Sequence, residues 1–172
     1  MYLKIAECFL LFVISTALGF IKSEKLKERV RILDELKKMA VFLQGELRFH
    51  RAMLSEALEN ISPRLSHPLD GLLKDVSEKL EKKEASFEML WKDSVEKLVR
   101  KENLRQEDVP LFLMIGNSLG YLDVAMQLEH LNLVIFQVEE AIKTAKEQQE
   151  IKGKLYRTMG ATAGAFLVLL II

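Results

Sequence analysis

The chain has 172 residues, 49% hydrophobic and 29% charged, with 25 Lys and Arg balanced by 25 Asp and Glu. That is enough for one domain, and three prolines and eight glycines exclude a collagen-like or disordered chain and leave a helix-rich composition. Zero formal net charge removes the electrostatic footprint of a nucleic-acid partner, and one cysteine with three scattered histidines offers neither a disulfide nor a thiolate or imidazole metal cage.

The first element is apolar: Ile5 to Ile21 reads IAECFLLFVISTALGFI, about 25 Å of helix, near the lower limit for a bilayer core. The last is similar, because Met159 to Ile172 reads MGATAGAFLVLLII, and extending it back to Leu155 gives about 27 Å if Arg157 snorkels to the interface. Residues 1–21 and 155–172 are therefore expected to be transmembrane helices, with residues 22–154 as one helical domain between them. Lys22, Lys25, Lys27, Arg29 and Arg31 follow the first run, and Lys152, Lys154 and Arg157 border the second. The positive-inside rule then puts the domain in the cytoplasm, with Lys22, Lys25, Lys154, Tyr156 and Arg157 as anchors at the lipid interface. A cleaved signal ending near Ala17-Leu18-Gly19 is the rival reading, opposed by the dense positive charge that follows it. Gly160 and Gly164 form a GxxxG pattern, and Ser15 with Gly19 a second small face. These four residues are expected to let the two spans pack on each other, unless the glycines are there only because spans are rich in them.

After Ser23, Leu26, Val30, Leu33, Leu36, Ala40, Leu43 and Leu47 recur at three- and four-residue steps, which predicts one helix continuing from the first span to about His50. A short helix over Met53 to Asn60 follows, then a loop at Ser62-Pro63 and His67-Pro68, since a residue before proline is pushed out of the helical region. Leu69, Leu72, Leu73, Val76 and Leu80 predict a third helix with Pro68 in its first turn, ending in the charged run Glu81 to Glu84. Phe87, Leu90, Trp91, Val95 and Leu98 predict a fourth from Ser86. A fifth is expected from Gln106, with Pro110 in its first turn and Gly120 as its stop. From Leu122 onward Val124, Leu128, Leu131, Ile135, Val138, Ile142 and Ala145 continue the period into the second span, about 77 Å of helix if unbroken. No strand-like alternation occurs, so the expected class is all-α, an antiparallel bundle of about six helices between two membrane helices. The same seam could also serve self-association into a homo-oligomer.

Enzyme chemistry finds no residues. GxxxxGK[ST], GxGxxG and HExxH are absent, His50, His67 and His130 form no ligand pair, and Glu139-Glu140, Glu147 and Glu150 lie on polar helix faces. No catalytic residue, metal or cofactor is expected.

The segments FLQGELRFHRAMLSEALENI, EASFEMLWKDSVEKL, MIGNSLGYLDVAMQLEHL and KLYRTMGATAGAFLVLLII together resemble the stage III sporulation protein AB family over nearly the whole chain. That family looks like a reduced relative of the F-type platform proteins of type II secretion and type IV pilus machines, whose cytoplasmic domains are six-helix bundles. The most specific part is Gly116, Asn117 and Gly120, followed by Asp123 and Gln127, a candidate interaction or structural motif. The platform family commonly has Glu where Asn117 stands, so no metal site carries over. The resemblance implies a mother-cell protein of the outer forespore membrane, its domain in the mother-cell cytoplasm. It also implies a platform role in a secretion-like channel complex linking mother cell and forespore. Its partners there would be a cytoplasmic secretion-type ATPase and other proteins of that complex, with the lipid bilayer around its ends. Apart from the resemblance, the residues leave open a membrane-anchored helical protein that self-assembles or signals through its seam.

Overall fold

A computed structural model describes residues 2–49, 53–102, 104–119 and 123–171, with side chains given for these apart from 2–6, 8, 49, 170 and 171. Six α-helices and one 3-10 turn account for almost all of it, and no strand occurs among the described residues. In chain order they are α1 (Tyr2–Phe49), α2 (Leu54–Ile61), the 3-10 turn Ser62–Arg64, α3 (Leu69–Glu81), α4 (Phe87–Glu102), α5 (Val109–Leu119) and α6 (Val124–Ile171). The expected all-α class is what forms.

Helix ends follow local chemistry. Pro68 stands just before α3, one residue earlier than expected, and its carbonyl accepts from the Leu72 amide at 3.3 Å. The end of α3 is a Schellman turn: the Glu84 amide donates to the Lys79 carbonyl at 3.2 Å and the Lys83 amide to the Leu80 carbonyl at 3.1 Å, with Lys83 at φ 54°. Helix α5 begins at Val109 rather than Gln106 because Gln106 to Asp108 form a turn, the Asp108 amide donating to the Arg105 carbonyl at 3.0 Å. The expected helix end at His50, stop at Gly120 and start at Leu122 all lie outside the described residues.

The chain divides into two compact units, residues 31–142 and residues 1–30 with 143–172. The larger is a bundle. Leu36, Met39 and Leu43 of α1, Leu58 and Ile61 of α2, Leu69 and Leu73 of α3, Trp91 of α4, Phe112 and Ile115 of α5 and Leu131 of α6 are all fully buried. Within it α1 and α6 run antiparallel: the Lys37 ammonium meets Glu139 at 2.7 Å, while Gln44 Nε2 donates to Asn132 Oδ1 at 2.7 Å. The seam residues Leu131 and Val138 are buried there, whereas Val124, expected to face inward, is 45% exposed because α6 begins at it. The loop before α3 is held from α1 at two successive turns. Arg31 donates to the His67 carbonyl at 2.6 Å, and Glu35 Oε2 accepts from the Ser66 amide at 2.8 Å.

The smaller unit pairs the first part of α1 with the last part of α6. Ser15 Oγ donates to the Gly160 carbonyl at 2.8 Å, and Arg29 donates to Gln148 Oε1 at 3.0 Å. Partner numbers fall as positions rise, so this pairing too is antiparallel. Among the described residues no helix is long and apolar enough to cross a membrane. The two apolar runs expected to do so include residues 5, 6, 8 and 170–172, whose side chains lie outside the description, so the expected spans find no support there.

Candidate functional site

The motif singled out by sequence falls on two helices of the larger unit. Gly116 is buried on α5, and a Cβ added there would stand 2.8 Å from Cγ and 2.9 Å from Nε1 of Trp91. The same indole donates to the Phe112 carbonyl at 2.8 Å. Trp91 is therefore held by a backbone acceptor one turn before Gly116 and by the space that glycine leaves. Asn117, next to Gly116, is exposed. Asp123 stands immediately before α6, where its carbonyl accepts from the Gln127 amide at 2.9 Å. The Gln127 side chain donates through Nε2 to the Leu119 carbonyl at 3.2 Å. A free carbonyl at the end of α5, one of those every helix leaves unsatisfied, is thus met from the first turn of α6. Gly120, between the two, is outside the described residues.

A groove of about 670 Å³ opens where these elements meet. Its lining is Leu47 and Arg48 from the end of α1, Leu54 from the start of α2, Leu119 from α5, and Asp123, Val124, Gln127 and Leu128. Five of these eight are Leu or Val, and Arg48, Asp123 and Gln127 supply a cation, an anion and an amide. Such a surface has the chemistry to accommodate an apolar side chain whose neighbours hydrogen-bond. Among the described residues its lining includes no histidine, cysteine or serine. Among the described residues no group of three or more His, Cys, Asp or Glu is placed to hold a metal ion. Asp123 and Gln127 stood out in the sequence as part of the motif and Leu47 as part of the apolar face of α1, but Arg48 and Leu54 did not.

The other two sets of residues sit in the smaller unit. Gly19 and Gly160 approach closely: a Cβ on Gly160 would lie 3.1 Å from the Gly19 α-carbon and 2.9 Å from the Ser15 carbonyl oxygen. Gly164 faces Ser15, with 3.2 Å between the Ser15 Cβ and a Cβ added at 164. Ser15, Gly19, Gly160 and Gly164 therefore form one helix crossing. Of the basic and aromatic residues, Lys22 Nζ stands 5.5 Å from the Tyr156 ring centroid, a cation–π distance, and Arg157 Nε donates to the Gly153 carbonyl at 3.3 Å. Lys25 and Lys154 are exposed.

Two carboxylates outside the groove have shifted titration. Burial pushes Glu35 up, but the Lys38 ammonium at 2.6 Å and the Ser66 amide outweigh it, and the net shift is downward. Burial likewise pushes Asp75 up, and hydrogen bonds from Lys79 and Ser94 with the nearby Lys79 and Lys97 charges bring it below its ordinary value. Both serve helix packing, tying α1 to the loop before α3 and α3 to α4.

The fold defines an all-helical bundle protein with a small, largely apolar groove. The chain belongs to the stage III sporulation protein AB family, whose profile matches residues 4–172. It is 25% identical over 170 residues to stage III sporulation protein AB of Bacillus subtilis (strain 168), a match spanning 99% of each chain. A solved structure of a stage III sporulation protein AB shares the fold with a TM-score of 0.66, covering 72% of this chain and 98% of that one at 24% identity.

Proposed function

We propose that this chain is a noncatalytic docking part of a sporulation membrane complex, placed between mother cell and forespore. Its apolar ends, 1–21 and 155–172, hold it in the outer forespore membrane by the hydropathy and charge of the sequence. Residues 22–154 then lie in the mother-cell cytoplasm and present a docking surface to a secretion-type ATPase and other proteins of the complex. The observation that carries this reading is the groove walled by Leu119, Asp123, Val124 and Gln127, which brings Asp123 and Gln127, two residues of the most specific motif of the family resemblance, to an apolar cleft. Membership of the sporulation family supports the biological setting.

The test is co-purification of the ATPase with the tagged full chain from membranes of sporulating cells. Val124→Asp places a charge in the groove at a side chain already 45% exposed, so the bundle keeps its core. Loss of the ATPase from the purified complex is the expected result. Equal recovery with the variant and the parent chain counts against the groove as the docking site.

A further inference from the structure

The zero net charge of the chain conceals a split between its two units. Residues 1–30 with 143–172 carry ten Lys and Arg against five Asp and Glu, whereas residues 31–142 carry fifteen against twenty. In the smaller unit the positive excess sits beside exposed apolar surface. Phe9, Leu10, Val13, Ile14, Leu18 and Phe20 of α1 are 44% to 69% exposed. At about 100° per residue they spread over roughly half of the helix circumference, away from the side of Ser15 and Gly19 that packs on α6. Leu155, Met159, Phe166 and Leu167 are exposed likewise on α6. An amphipathic helix buries a stripe of about 100° in a protein contact, so apolar surface this broad on two paired helices fits a lipid phase.

Lys22 and Lys25 follow where the apolar run of α1 ends, and Lys152, Lys154 and Arg157 stand at the same level of α6, since Lys22 Nζ is 5.5 Å from the Tyr156 ring centroid. All five are exposed, and among the described residues none forms an ion pair with a carboxylate. The nearest acids do not neutralise them. Glu24 is bonded to Lys27, and Glu150 lies about 6 Å farther from the apolar run than Lys154 by helical rise. Of the other charges in this unit, Lys27, Glu28 and Arg29 are engaged within the chain. Lys143, Lys146 and Glu147 lie farther still along α6, and Lys4 and Glu7 offset each other at the opposite end of the apolar run. The surface thus fits a partner with an apolar phase and negative charge at its border. We infer that the smaller unit selects phospholipids whose headgroups are net negative, Lys22, Lys25, Lys152, Lys154 and Arg157 meeting those headgroups while the apolar side chains meet the acyl chains. This selection rests on the membrane placement proposed above and adds the lipid class to it.

The experiment places the full chain in nanodiscs of phosphatidylcholine and phosphatidylglycerol in equal amounts and counts, by native mass spectrometry, the lipids that leave with it. Phosphatidylglycerol is expected to exceed phosphatidylcholine about tenfold, and raising NaCl to about 0.5 M lowers the ratio by screening. Lys22→Gln, Lys25→Gln, Lys152→Gln, Lys154→Gln and Arg157→Gln together bring the ratio near one, with the thermal melt kept because all five side chains are exposed. Lys74→Gln with Lys82→Gln and Lys92→Gln, in the larger unit, leaves the ratio as in the parent chain. Equal retention of the two lipids by the parent chain overturns the inference. So does a ratio that survives the five substitutions, that falls as far with the three in the larger unit, or that is lost to free inorganic phosphate at constant ionic strength. A chain that stays outside the nanodisc overturns the membrane placement as well. A photocrosslink from benzoylphenylalanine in place of Phe20 to an acidic protein in cell membranes, instead of to lipid, assigns the surface to that protein and overturns the lipid.

Discussion

The indole of Trp91 lies against the backbone of Gly116, with its Nε1 donating to the Phe112 carbonyl at 2.8 Å. Helices α4 and α5 are locked at this one contact. Gly116→Ala puts a methyl group into a buried ring and is expected to destabilise the chain by about 1–3 kcal/mol, even though alanine is the better helix former. Trp91→Phe keeps an aromatic ring but loses the bond from Nε1 to the Phe112 carbonyl, at about 1 kcal/mol. Urea or thermal unfolding followed by circular dichroism measures both, and an alanine at 116 with an unchanged midpoint would refute the contact.

Two backbone positions carry residues that their conformation does not favour, and replacing them is expected to stabilise. Lys83 closes α3 at φ 54°, where glycine avoids the Cβ clash, so Lys83→Gly gains about 1 kcal/mol. Gly45→Ala fills open space on α1 and gains about 0.5–1 kcal/mol. Both appear as raised unfolding midpoints with an unchanged denaturant slope.

Acid sensitivity follows from Glu35 and Asp75. Each titrates below its ordinary value, 4.5 and 3.8 respectively, with burial opposing and the Lys38 and Ser66 or Lys79 and Ser94 partners prevailing. A depressed carboxylate stabilises the fold in full above its unfolded value and loses that contribution as pH falls through the folded one. Stability should therefore be flat near neutrality and decline below about pH 4.5. Glu35→Gln lowers stability at pH 7 and makes the decline shallower, as read from unfolding midpoints between pH 3 and 7. An unchanged slope would mean that Glu35 contributes nothing through its charge.

The helix crossing of the smaller unit can be trapped. With 3.2 Å between the Ser15 Cβ and a Cβ at 164, the pair Ser15→Cys and Gly164→Cys in a Cys8→Ser background is close to disulfide geometry and should oxidise readily. Adding Gly160→Leu, whose side chain would run into the Ser15 carbonyl, should abolish the bond. Mobility on non-reducing gels reports both results.

Much of the fold is legible from spacing. Phe87, Leu90, Trp91, Val95 and Leu98 recur with a helical period, and they form the buried side of α4. Gly120, read as a helix stop, marks the break between α5 and α6. What spacing leaves out is the neighbour that covers each face. Trp91 reads as core, but nothing in its sequence context says that its ring needs a glycine on another helix. Val124 has the right step to face inward and is nonetheless exposed, because it opens α6 where the packing has yet to begin. The groove is illegible for a related reason. Leu47, Arg48 and Leu54 line it with Gln127, yet they lie 73 to 80 positions away in the chain, so only the closed bundle brings them together.

The bond from Ser15 to Gly160 spans 145 positions, and that separation sets a clock. During synthesis at about 5–20 residues per second, roughly 7 to 30 s pass between the emergence of the first partner and that of the second. The glycine-lined face of the leading segment waits unpaired for that whole interval, while α2 to α5, whose contacts are local, can fold as they appear. The crossing cannot form before that interval has passed, and the early apolar segment stays open to other partners until it does.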